Sequence, residues 1–203
     1  MSDPSEQSRQ MEELIQKIQE QSEASRDVGM AVLKAAIRSR DSTKQWIEGE
    51  TEAKRLESEA YIFFEYVYFY LHLAMRSAFV ALTEYQMGNL QEYLGILVPA
   101  AAVESYFAHW PEELLRGMKR EFVDNLNEAE LEYTQAVRDS TLEVSTDKFL
   151  GIFLLLAIRI TQWCTGKDQE REPNLLVIDI AMNDWKEMRL GALMDRVSRT
   201  LEA

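Results

Sequence analysis

The sequence predicts an all-α fold, a single irregular bundle of six or seven helices, and three observations carry that prediction. Only eight glycines and four prolines punctuate 203 residues, and they fall where helices start or stop rather than at hairpin spacings. Apolar residues recur in steps of three and four through most of the chain. The one run that reads as a buried strand, Leu175-Leu176-Val177-Ile178, has no partner strand elsewhere and continues in helical steps through Met182, Trp185, Met188 and Ala192.

The first helix opens at Asp3-Pro4-Ser5-Glu6, a capping residue followed by proline at the first helical position, and runs through Met11, Leu14, Ile15 and Ile18. Apolar positions thin out at Gln21 and Ser22 and resume at Val28, Val32, Ala35 and Ala36, so a break near Ser25 is open and the end is expected near Arg40. Residues 1–40 therefore read as an amphipathic arm packed on the bundle or on a second copy, and residues 41–203 as the bundle domain. The arm's spacing approximates heptads, which leaves a homodimer open.

Asp41-Ser42-Thr43 and Gly88 bracket a long second segment that Gly49 divides. Its first part is polar, whereas from residue 60 to residue 87 it is apolar almost all round, as a helix at the centre of a bundle must be. Asn89, with Glu92 three residues on, is the expected cap of a helix that Pro99 breaks or kinks. Trp110-Pro111-Glu112-Glu113 opens the next helix. Leu115, Met118, Phe122, Leu126, Ala129, Tyr133 and Ala136 then form one buried stripe to about Asp139. Ser145 or Thr146 caps a helix that stops at Gly166, and a last helix runs from beyond Pro173 to about Thr200. No internal repeat of fixed period divides the chain.

Twenty-two Lys and Arg against 35 Asp and Glu leave a net charge of −13, the wrong sign for nucleic acid. The excess acid lies mid-chain: residues 111–145 hold nine acids and four bases, whereas residues 146–172 hold four of each. That field would hasten encounter with a basic protein and repel anionic lipid. The most apolar long segment, residues 61–82, contains Glu65, His72 and Arg76, so no membrane span is expected. The opening residues lack a basic start and an apolar stretch, and Cys164 has no partner in the chain. Both point to the cytoplasm.

Three constellations stand out. Glu65, His72 and Arg76 lie seven and four residues apart on the most apolar helix, with Tyr68 between, and form a polar stripe on one face. If buried, the stripe requires partners, and Arg159, Asp179, Glu104 and His109 are the other ionisable residues set in apolar helices. It reads either as structural ion pairs or as a ligand pocket made from Glu65, Tyr68, His72, Arg76, Arg159 and Asp179. The paired Glu-x-x-His ligands of di-iron bundles are missing, since Phe69 and Tyr106 stand three residues before the two histidines. No metal or cofactor is expected.

The second constellation is the row Glu121, Asp124, Glu128 and Glu132, expected on the solvated face of its helix. The third is Cys164 at a helix C-terminus, where the dipole opposes a thiolate and packing is the expected role. No nucleophile elbow, Walker loop, dinucleotide fingerprint or Cys-x-x-Cys occurs, so no reaction is named and the enzyme question stays open. The leading functional expectation is a non-catalytic acidic helical protein that binds a basic protein partner through Glu121, Asp124, Glu128 and Glu132, as an inhibitor, immunity factor, adaptor or chaperone does. The alternative is an internal ligand or metal pocket around Glu65, His72 and Arg76, with or without catalysis.

Overall fold

The computed structural model describes residues 4–48, 51–139, 145–166 and 172–200, and side chains within 22–48, 51–136, 150–166 and 172–200. Seven α-helices account for nearly all of it: α1 Pro4–Thr43, α2 Glu52–Ala81, α3 Glu84–Phe107, α4 Glu112–Asp139, α5 Ser145–Thr165, α6 Leu176–Met188 and α7 Leu190–Arg199. A single 3₁₀ turn, Lys44–Trp46, follows α1. Among the described residues there is no strand, and Leu176–Ile178 forms the start of α6, with Leu175 at its N-cap. No helix among them is long and apolar enough to cross a membrane.

As its composition requires, α2 is the central element. Every residue from Ile62 to Ala74 is buried, and α2 touches α1, α3, α4, α5 and α7. A helix that is apolar on all sides finds its lowest free energy where other helices surround it, because each buried Phe or Leu side chain contributes about 1.5–3 kcal/mol. The aromatic rings interlock edge to face: Phe69 meets Phe153 at 4.9 Å and Tyr133 at 5.6 Å, and Phe64 meets Phe122 at 5.1 Å. Around this rod, α1 packs on α2, α3, α6 and α7, and α4 lies on α2, α3 and α5. Gly29 admits the close approach of α1 to α3, since a Cβ there would lie 3.1 Å from Leu97 Cδ2 and 3.2 Å from Leu94 Cδ2.

Several boundaries differ from those the sequence predicts. α1 runs unbroken past Ser25, which is buried, and ends at Thr43 rather than Arg40. The segment expected to continue to Met87 ends at Ala81. Thr83 starts α3 through a capping box in which its hydroxyl accepts from the Gln86 amide N–H while the Gln86 side chain accepts from the Thr83 N–H. Asn89 is therefore inside α3 and caps nothing. Gln86 also donates to the Ser198 carbonyl at 2.8 Å, joining the start of α3 to the end of α7.

Pro99 does not break α3. Leu94, Val98, Ala102 and Val103 are buried around it, and that burial outweighs the roughly 3 kcal/mol that an interior proline costs. The final helix is divided at Arg189, which adopts a left-handed conformation (φ 50°), so α6 and α7 turn separately onto the bundle. Gly166 ends α5 in the same region of backbone space (φ 94°), as expected. The predicted break at Gly49 and cap at Asp3 lie outside the described residues, as do the side chains of Met11, Leu14, Ile15 and Ile18. Val28 and Val32, from the same stripe, are buried within the bundle.

Two hydroxyl pairs pin α1 to α2. Thr43 Oγ1 donates to the Ser39 carbonyl, which leaves the Tyr66 hydroxyl to donate to Thr43 at 2.7 Å. One turn along, Ser39 Oγ donates to Asp184 at 2.6 Å, and the Tyr70 hydroxyl meets Ser39 Oγ at 2.7 Å. Both spacings are i and i+4, so Ser39/Thr43 and Tyr66/Tyr70 face each other along the helix seam. Burial raises both phenol pKa values well above their ordinary range, and these rings stay neutral donors.

Candidate functional site

Glu65, His72 and Arg76 do not form one site. Seven residues of helix advance about 10 Å along the axis, enough for Glu65 and His72 to meet different neighbouring helices. Glu65 turns to α5, where Arg159 Nε and Nη2 donate to its two carboxylate oxygens at 2.6 and 3.1 Å. Trp163 Nε1 donates to the same carboxylate at 3.2 Å, and Arg159 Nη1 reaches Glu132 of α4 at 2.5 Å. Burial opposes the charge on Arg159, yet the hydrogen bonds and charge of Glu65, reinforced by Glu132, hold its pKa above the ordinary arginine value. This is a closed ion cluster joining α2, α4 and α5, with Glu65 6% exposed. Its donors and acceptors are spent on one another.

Tyr68 lies against Phe122 at 4.8 Å, its hydroxyl buried beside Asn125 without a hydrogen bond of good geometry. Burial raises its pKa far above the ordinary value. Asp179, expected in the pocket, is exposed on α6 and joins neither group, since it follows the buried Val177 by two residues and so lies on the opposite side of its helix. Glu104 pairs with Lys119 at 2.6 Å, and His109 is exposed in the turn after α3. Among the described residues no three His, Cys, Asp or Glu side chains converge as metal ligands would.

His72 and Arg76 belong to a different place, an open cleft of about 1300 Å³ bounded by α2, α3, α4, Trp185 and α7. Leu73, Met75, Phe79, Met87, Leu94, Leu126, Leu131 and Met194 make its walls apolar. Phe79 and Leu131 remain 75% and 74% exposed at its edge, an unusual position for large apolar side chains. Among the described residues, His72, Arg76 and Glu130 are the only ionisable ones in the lining. His72 is 2% exposed, and its Nδ1 lies 2.7 Å from Glu130 Oε2. That carboxylate holds Nδ1 as the donor, and Nε2 is buried with no partner. A carboxylate-oriented imidazole is the arrangement of a general base, but with Nε2 closed off no nucleophile reaches it in this conformation. What the cleft can do as it stands is bind.

Glu130 escapes the sequence reading, although a signal exists: it stands one turn after Leu126, beside the stripe of Ala129 and Tyr133, and so faces inward from α4. Trp163 is the other omission. It stacks on Tyr61 at 4.2 Å with rings nearly parallel, which no spacing within one helix reveals.

The acidic row also divides. Asp124 and Glu128 are exposed and have no ion pair among the described residues. Glu121 is exposed but accepts from the Tyr61 hydroxyl at 3.0 Å, and burial together with the Glu121 charge pushes that phenol up to about 12. Glu132 is not free on a solvated face: it belongs to the Arg159 cluster, because α5 packs against that side of α4. Cys164 is buried on α5, and burial, aided by the charge of Glu48, pushes its thiol up to about 12, which keeps it protonated.

Fold and site together define an all-α bundle whose described residues hold an internal ion cluster around Glu65 and an apolar cleft beside His72. Comparison with known proteins adds no relative: no family model, no curated protein and no solved structure matches the chain.

Proposed function

We propose that this protein acts by binding a small apolar molecule in the cleft between α2, α3, α4 and α7. One observation carries the reading: an open, apolar cleft of about 1300 Å³ lined, among the described residues, by only three ionisable side chains, His72, Arg76 and Glu130. Sites for small molecules are concave and mostly apolar with a few polar groups, and usually measure roughly 300–1,000 Å³. The larger volume suits a chain-like ligand lying along the helices. The unpaired Cys164 supports a reducing compartment such as the cytoplasm.

Gly95 provides the test. It lines the cleft, and a Cβ there meets nothing within 4 Å, so a side chain can be added at this position and Gly95→Phe is expected to occupy the cleft. The neutral dye N-phenyl-1-naphthylamine should bind the native protein saturably, with a blue-shifted emission. Gly95→Phe should weaken that binding at least tenfold while the melting temperature holds or rises, since glycine inside a helix costs about 1 kcal/mol. Equal dye binding by the two proteins would reject the cleft.

The acidic face supports a second reading, association with a basic protein, because Asp124 and Glu128 keep their charges uncompensated. Changing both to lysine should lower the association rate with such a partner about tenfold at low salt and leave fold and dye binding untouched. A partner retained equally by both forms at low salt removes this face from consideration.

A further inference from the structure

The cleft's charges are asymmetric in a way that selects a ligand. Arg76 stands exposed at its edge, one turn beyond His72, and makes no ion pair among the described residues. Glu130, the only acid in the lining among the described residues, is engaged by His72 Nδ1 at 2.7 Å and makes no pair with Arg76. In a chain of net charge −13, a guanidinium left uncompensated beside an apolar channel is a built attraction for a negative head group. A guanidinium presents a planar fork of donors that matches a carboxylate with two parallel hydrogen bonds. The nearby negative charge of Glu130 opposes a doubly charged head such as a phosphate monoester, whereas a single negative charge meets one cation and one already engaged acid.

We infer that the cleft binds an aliphatic monocarboxylate, with the carboxylate held by Arg76 and the alkyl chain laid along the apolar walls toward Met87, Leu94 and Met194. The inference rests on the cleft reading above and adds the identity of the head group. Glu130 and Arg76 then act in opposition, one weakening and the other strengthening the same ligand.

Calorimetric titration of the full chain with decanoate and with 1-decanol, both below their aggregation concentrations, tests the head group apart from the cleft. Decanoate should bind at least tenfold more tightly than decanol, and its affinity alone should fall as salt rises. Arg76→Gln should remove that tenfold preference, and Glu130→Gln, which can still accept from His72, should strengthen decanoate several-fold. Neither variant should change decanol binding. Arg76 is exposed and the Glu130 variant keeps its hydrogen bond, so both proteins should fold, which circular dichroism verifies. Equal affinity for the two ligands, or an Arg76→Gln protein that still prefers decanoate, overturns the carboxylate inference while the cleft stands. Failure of both ligands to bind overturns the cleft reading together with it.

Discussion

Phe69→Ala is expected to destabilise the protein by about 3–5 kcal/mol, the range for removing a fully buried phenylalanine. Phe69 has no exposed surface and meets three rings, those of Tyr70, Tyr133 and Phe153, at 4.9–5.6 Å. Those rings come from α2, α4 and α5, so the cavity left behind opens where three helices meet and cannot close by moving one side chain. For a chain of this length each kcal/mol corresponds to about 2–4 °C in the melting temperature, which puts the expected loss at about 6–20 °C. Phe79→Ala on the same helix, at 75% exposure, should stay within about 0.5 kcal/mol. Urea and thermal unfolding of the two variants give the comparison directly. Equal losses would mean that α2 is not surrounded as described.

Arg159→Met should be comparably severe, at about 3–5 kcal/mol, for a different reason. Glu65 would remain as a carboxylate 6% exposed, with the Trp163 indole N–H its only remaining donor, and an uncompensated buried charge is far more costly than a lost surface pair. Glu132 would return to water at little cost, since its side chain is already 43% exposed. The decisive measurement is the pair of variants: Glu65→Gln added to Arg159→Met should recover more than half of the loss, because the amide still accepts from Trp163 but carries no charge. If Arg159→Met alone costs less than 1 kcal/mol, the cluster behaves as an ordinary surface ion pair and its burial is overstated.

The stripe on α2 shows how far the sequence reaches. Its period sets Glu65 and His72 on one face and requires partners for them if that face is buried, and Arg159 is named among the available ones, but the sequence leaves the burial itself undecided. The sequence leaves unsaid that the two residues part company. Glu65 goes to a guanidinium on α5, whereas His72 goes to Glu130 on α4. That choice depends on which helix packs against which turn of α2, a matter of distances between residues 58 to 94 positions apart. Asp179 was grouped with them because it too lies in an apolar helix, but apolar surroundings in sequence do not fix the side of the helix that meets the core.

Helix ends teach the same lesson on a smaller scale. Gly166 and Pro111 mark boundaries through backbone chemistry that no packing can reverse cheaply, and both hold. Pro99 carries a penalty of similar size, yet buried apolar neighbours on α3 offset it. The boundary after Ala81 was legible in Thr83 and Gln86, a reciprocal cap hidden by the apolar run on either side.

By itself, the sequence determined the helical class, the central place of the segment after residue 60 and the absence of a membrane-spanning helix among the described residues, because these follow from local periodicity and from the cost of placing charge in an apolar medium. The cleft, the free Arg76 and the closed cluster around Glu65 were decided by the tertiary structure alone. They arise from gaps and meetings between helices distant in the chain, and surface left between helices has no periodicity to read.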